Sequence, residues 1–420
     1  MRSSQSRARE LLQYNEYRDP KVSQTGIKVR TGWKSRVAEA VEAAESRLKH
    51  SVLVGVVAKG KTCIWKEFEG SEAQSSQLWP FSVLETPPSM PCSHIELELR
   101  LAVPGMQDDY YLNLLAWSEQ SLVALGLGST VYVWNSEVQA LQGSLHVRPP
   151  TTLVSFTSSL YSWSSISSVA WSKDGHILAI GKHDGEIQLW DVEYKSNIRN
   201  VTGHLSLVGS LSFNQQILSS GSLLGFIHHH DVRVAIPVVG WIQQQKGICG
   251  LQWCPDGTKL ASGTSDGLLS IWPNDPGTTQ KCLPLLTRQH LTAVKALCWC
   301  PWQLELLAVG GGRQDRTLRI WDTCTGVCLQ SAQSNSQVCS LCFLPRSQEI
   351  LTGHSLPHYH VSSWKVPTLT QLAELHGHKG RVLHIAPSPC GTRVFTAGSD
   401  HQACVWKLSD QFSEQLEETE

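Results

Sequence analysis

Val169–Asp191 reads VAWSKDGHILAIGKHDGEIQLWD. Two turn signals, Ser172-Lys173-Asp174-Gly175 and His183-Asp184-Gly185, divide it into three short apolar runs. Asp and Gly in such turns supply side-chain caps and positive φ. In Glu186-Ile187-Gln188-Leu189-Trp190 polar and apolar residues alternate, which on a strand sends the apolar ones to a single face. The same phrase returns along the chain. Its last strand ends in "TVYVWN" at Trp134, "EIQLWD" at Trp190, "GFIHHHD" at His230, "LLSIWP" at Trp272, "TLRIWD" at Trp321, "HVSSWK" at Trp364 and "QACVWK" at Trp406. The earlier strands return as "LSFNQQ", "LQWCPDG" and "LCWCPWQ", then "LSSGSLLG", "LASGTSDG", "LAVGGG" and "VFTAGSD". Successive endings lie 56, 40, 42, 49, 43 and 42 residues apart. A period just above forty with a Trp-Asp-like ending marks WD repeats. Seven endings predict an all-β, seven-bladed propeller.

The propeller is expected over residues 79–407. Residues 1–78 form an N-terminal arm with 11 Lys/Arg against 6 Asp/Glu in its first 50 positions. It reads as largely irregular, with Val37, Val41, Ala44 and Leu48 at helical spacing. Residues 408–420 are an acidic tail. Ring closure needs a strand from before the first blade. "WPFSVLETP" (Trp79–Pro87) has the composition for it, with "HIELELRL" (His94–Leu101) as an added strand in the connection.

Of 420 residues, 35 are Lys or Arg and 36 Asp or Glu, so no basic bias points to nucleic acid. No apolar run approaches a membrane span, and no charged-then-apolar leader opens the chain. Thirteen cysteines, an odd number, fit reduced thiols and a cytoplasmic or nuclear setting better than a disulfide framework.

His228-His229-His230-Asp231 invites a metal reading. On a strand His228 and His230 face one way and His229 the other. The three cannot converge on one metal from the strand alone, and no fourth ligand is evident. His230 instead fills the slot of the repeat's Trp. The Gly-His starts at His204 and His378, with Asp400 and Trp406 in the last unit, read as blade-pinning hydrogen-bond networks. Cys339-Ser340-Leu341-Cys342 reads as an inner strand rather than half of a zinc cluster with Cys324 and Cys328, and Gly126-Leu127-Gly128 as a turn. No catalytic motif, metal or cofactor is expected.

"DDYYLNLLAWS" (Asp108–Ser118), "SSVAWSKDGHILAIG", "VGSLSFNQQILSSGSLLGFIHHHDVRVA", "AVKALCWCPWQ" and "LAVGGGRQDRTLRIWD" together resemble the Fizzy family of cell division cycle protein 20 homologues. That resemblance implies a coactivator of the anaphase-promoting complex. Such a protein carries degron-bearing substrates to this ubiquitin ligase in cell-cycle proteolysis. It further implies that Asp109 receives the arginine of an Arg-x-x-Leu destruction box, and that Arg381 belongs to a top-face site for Lys-Glu-Asn degrons. The chain departs from the family there: Ala116 stands where an acid is expected, and Gly263-Thr264-Ser265-Asp266-Gly267 replaces a turn with two asparagines. Residues 1–78 hold no C-box, and the sequence closes on Glu418-Thr419-Glu420 rather than Ile-Arg. These departures set a ligase-independent WD-repeat interaction scaffold beside the adaptor role.

Overall fold

The computed structural model describes residues 80–85, 94–147, 165–194, 196–234, 237–275 and 282–409. The N-terminal arm (residues 1–78), its helical stretch and the tail beyond residue 409 lie outside the described residues. Seven antiparallel sheets follow one another as the blades of a propeller. In blade 2 the strands are Ile166–Trp171, Ile177–Lys182, Ile187–Asp191 and Ser196–Val201, from the axis outwards. The first three are almost wholly buried, whereas the outer strand alternates between half-buried and exposed. That gradient explains the low charge content: three strands of each blade have neighbouring sheets on both faces.

The Trp-ended strands share one register. Trp190 pairs with Leu178, Trp272 with Leu260, Trp321 with Leu307, Trp364 with Ile350 and Trp406 with Val394. His230 pairs with Leu218 and so stands in the tryptophan slot of blade 3. The tight turn before it needs Gly225, which has φ +87° and a backbone that passes so close to Gln244 O that an added Cβ would lie 2.4 Å from it.

Closure differs from the expectation drawn from composition. The strand that pairs with Gln402–Leu408 and completes blade 7 is Ile95–Ala102, not the Trp79–Pro87 stretch. Val83–Glu85 pairs outside Ile95–Ala102 as a fifth strand. Length and alternation decide this. Eight residues with Ile95, Leu99 and Leu101 buried can fill a blade face, and three residues cannot. Phe81, just before the short strand, still packs into the seam, its ring stacked 6.2 Å from that of Trp134 in blade 1 and tilted 6.3 Å from that of Phe395 in blade 7. Arg393 locks the closing strand through a two-point pair with Glu98, at 2.7 and 2.9 Å.

Candidate functional site

Two kinds of loop share one face of the propeller. One links the outer strand of a blade to the inner strand of the next, and the other links the second strand to the third. Asp108 and Asp109 lie on the segment that leads from Ile95–Ala102 into Leu115–Trp117. Arg381 lies on the loop between Thr370–Leu375 and Val382–Pro387. The two loops meet where the ring closes. Arg381 Nε donates to Asp108 Oδ1 at 2.7 Å, and its Nη2 donates to Asp108 O at 2.8 Å. Nη2 also lies 2.5 Å from Asp108 Oδ1.

Asp109 is half-buried and caps its own turn, accepting a bond from the Tyr111 amide at 2.9 Å. Among the described residues it forms no ion pair. It does lie within electrostatic reach of Lys295 and His183. Lys295 is buried beneath this face, its Nζ donating to Leu383 O at 3.2 Å and lying 5.5 Å from the Tyr110 ring centre. Burial pushes its ammonium down to about 8, against the pull of Cys339, Cys249 and Asp109. Burial also holds His384, close to Lys295, well below its ordinary range. The axis is closed at this level by Tyr110, Cys249, Ala293 and Cys339, and by Asn113, which donates to Gly209 O at 2.8 Å and Cys249 O at 3.0 Å.

The arrangement is a shallow, charged mouth. An open carboxylate, an arginine already engaged and an exposed Tyr111 lie near the buried cluster of Tyr110, Cys249, Ala293 and Cys339. It suits reading the side chains of an extended peptide. The structure brings Asp109 and Arg381 into one patch, through Asp108. Asp108 and Lys295 were missed in the sequence. The doubled aspartate and a lysine inside the apolar run "AVKALCW" were the available signals.

The other residues singled out in the sequence lie within the blades and their turns. In blade 7, His378 Nε2 and Trp406 Nε1 both meet Thr396 Oγ1, at 2.8 and 3.0 Å, and His378 Nδ1 lies 3.2 Å from Asp400 Oδ1. Burial opposes charge on His378, but Cys404 and Asp400 carry it up to about 9. In blade 3, His204 Nε2 and His230 Nε2 meet Ser220 Oγ at 2.7 and 2.8 Å. His229 turns to the opposite face and contacts Ser219 Oγ at 2.8 Å. Ala116 lies on the first strand of blade 1, and its carbonyl accepts from Trp171 Nε1 at 3.2 Å. Thr264 Oγ1 donates to Asp266, folding the turn at residues 263–267 on itself. Gly128 is a positive-φ turn residue between two strands. Cys339 packs at the axis and Cys342 in the core between blades 6 and 7.

The CDC20/Fizzy WD40 domain family matches residues 101–406. The chain is 41% identical over 313 residues to "Anaphase-promoting complex subunit cdc20" of Dictyostelium discoideum, which covers 74% of this chain and 60% of that protein. It is 40% identical over 314 residues to "WD repeat-containing protein slp1" of Schizosaccharomyces pombe, covering 74% of this chain and 61% of that protein. It thus spans about three fifths of the length of these relatives. A chain from "Crystal Structure of Mitotic Checkpoint Complex" superposes with a TM-score of 0.68 at 36% identity, over 84% of this chain and all of that one. The register, the histidine-substituted third blade and these matches agree: the chain belongs to the CDC20/Fizzy WD40 family.

Proposed function

We propose that this chain is a non-catalytic substrate adaptor of an anaphase-promoting-complex ubiquitin ligase, working in the cytoplasm or nucleus. In this reading the loop face takes extended degron peptides. The carrying observation is Asp109, a half-buried carboxylate at the ring seam that its own fold leaves without an ion pair among the described residues. A peptide arginine entering there gains a charge-assisted bond in a partly desolvated setting. The name of the Dictyostelium relative, an anaphase-promoting complex subunit, supports the ligase connection.

A ligase-independent interaction scaffold is the second reading. It is favoured by Ala116 and by the engagement of Arg381 with Asp108, both of which depart from an open degron site.

Co-purification of the tagged full chain with the ligase from cell lysate, beside a docking-competent Fizzy homologue, separates the two. Recovery of the ligase supports the adaptor reading. Clean absence while the control binds supports the scaffold. Titration of an Arg-x-x-Leu peptide then tests the site. Asp109→Asn is expected to weaken it by about ten-fold or more, the scale of a hydrogen bond to a charged group. Unchanged affinity would remove Asp109 from the site.

A further inference from the structure

We propose that His204, His228 and His230 form a three-nitrogen site for one borderline divalent transition-metal ion of the Zn²⁺ class. Strand Phe226–Asp231 places His228 and His230 on one face, and His204 enters from the loop that follows Ser196–Val201. The strand alone offers two imidazoles; the fold supplies the third. One ring nitrogen from each lies within 4.8 Å of the other two.

The second observation is what these rings lack. Nδ1 of all three is buried with no hydrogen-bond partner among the described residues. Blade 7 shows the contrast. There the equivalent His378 turns Nδ1 to Asp400, and Trp406 presents a single donor to Thr396. In blade 3 Leu224, half-exposed, stands at the aspartate's place and His230 at the tryptophan's. An unmet buried polar atom costs about 1–3 kcal/mol, so three together are a debt that a bound cation removes.

The donor set selects the metal. The nearest carboxylate in sequence, Asp231, is occupied by Arg233 through Nε and Nη2 at 3.0 and 2.7 Å. An all-imidazole set suits Zn²⁺, Ni²⁺ or Cu²⁺ and not Mg²⁺ or Ca²⁺. Zn–N bonds of about 2.0–2.1 Å set nitrogens about 3.4 Å apart in a tetrahedron. His228 now stacks on His204, ring centres 4.0 Å apart and planes at 9°. Parallel rings cannot both aim at one ion, so binding requires His228 to swing out of the stack. It is the half-buried member of the three. A water completes the shell, while Ser220 Oγ orients His204 and His230 through their Nε2 atoms.

The test uses the full chain stripped with chelator and titrated with Zn²⁺ by calorimetry and with Co²⁺ by visible absorption. Expected are one ion per chain, Co²⁺ ligand-field bands without a thiolate charge-transfer band, and a rise in Tm on adding Zn²⁺. His228→Phe keeps an aromatic ring in the stack and removes its nitrogens; it is expected to weaken binding at least about ten-fold. Should that variant misfold, X-ray absorption of the Zn²⁺-loaded wild type reads the imidazole ligands directly. No stoichiometric ion, a thiolate band, or affinity unchanged in His228→Phe would overturn the site.

Discussion

At the residue scale, the decisive neighbours are Asp108 and Asp109. One residue apart, they have opposite fates: Asp108 is spent on Arg381, and Asp109 stays open. The Asp108–Arg381 pair is partly exposed, with 56% and 25% of the two side chains accessible. Exposed pairs contribute about 0.2–1 kcal/mol, so Asp108→Asn is expected to leave Tm nearly unchanged. It also frees Arg381. Calorimetric titration with an acidic peptide should show affinity rising by up to about five-fold, the equivalent of that pair energy. A loss of affinity would mean that Asp108 itself contacts the ligand. The same geometry bears on the Lys-Glu-Asn degron. Ala116 offers a peptide lysine no carboxylate, and Arg381 is already engaged. Such a peptide is expected to bind weakly. Tight, Arg381-dependent binding in fluorescence titration would contradict this.

At the element scale, blade 7 is held by a charged network whose pH behaviour has a definite sign. His378 is carried up to about 9, above the ordinary 6.5 of an unfolded histidine. Its contribution is therefore complete below pH 6.5 and fades as pH rises towards 9. Between pH 6.5 and 8 unfolding should become easier by at most about 1.4 kcal/mol per pH unit from this group. Lys295, held at about 8 by burial, opposes this trend at the top of the window, because its unfolded form keeps its proton there. Asp400→Asn removes the carboxylate beside His378 and should flatten the slope in urea unfolding at those pH values. An unaltered slope would assign it elsewhere. Gly377, which opens this network, lies against Trp406; an added Cβ would fall 2.9 Å from the indole. Gly377→Ala should lower Tm by about 1–2 °C, on the scale of about 1 kcal/mol for an overpacked site in a domain of this size. The blades themselves were legible in the sequence, because each Trp-ended strand repeats one alternation and one turn chemistry. His230 was placed correctly by spacing alone. What spacing could not show was His204 arriving beside it from the preceding loop, or Asp108 meeting Arg381 across 273 positions. The second of these contacts depends on the ring closing, which no local pattern encodes.

At the scale of the whole molecule, closure is a competition between two N-terminal segments for one edge. "HIELELRL" and "WPFSVLETP" both have strand composition, so composition alone chose the wrong one. The structure decides by buried apolar surface. Ile95–Ala102 pairs along Gln402–Leu408 and buries Leu101 to 1% and Ile95 to 2% accessibility. Outside it, Val83 is more than half exposed. The propeller's stability should therefore hang on the inner of the two. Leu101→Ala removes a fully buried side chain at the seam and should cost about 2–5 kcal/mol, read as a lower urea midpoint. Val83→Ala, the matched change on the outer strand, should cost well under 1 kcal/mol, as exposed substitutions do. Arg393→Gln would break the two-point pair with Glu98 that ties the closing strand to Arg393–Gly398, across the intervening Gln402–Leu408. Because the loops bearing Asp108 and Arg381 meet only when the ring is shut, a variant that loosens closure should lose peptide binding along with stability. Leu101→Ala that is destabilised yet binds an Arg-x-x-Leu peptide with wild-type affinity would show that the mouth forms without the seam. Equal costs for Leu101→Ala and Val83→Ala would restore the outer strand to the closing role.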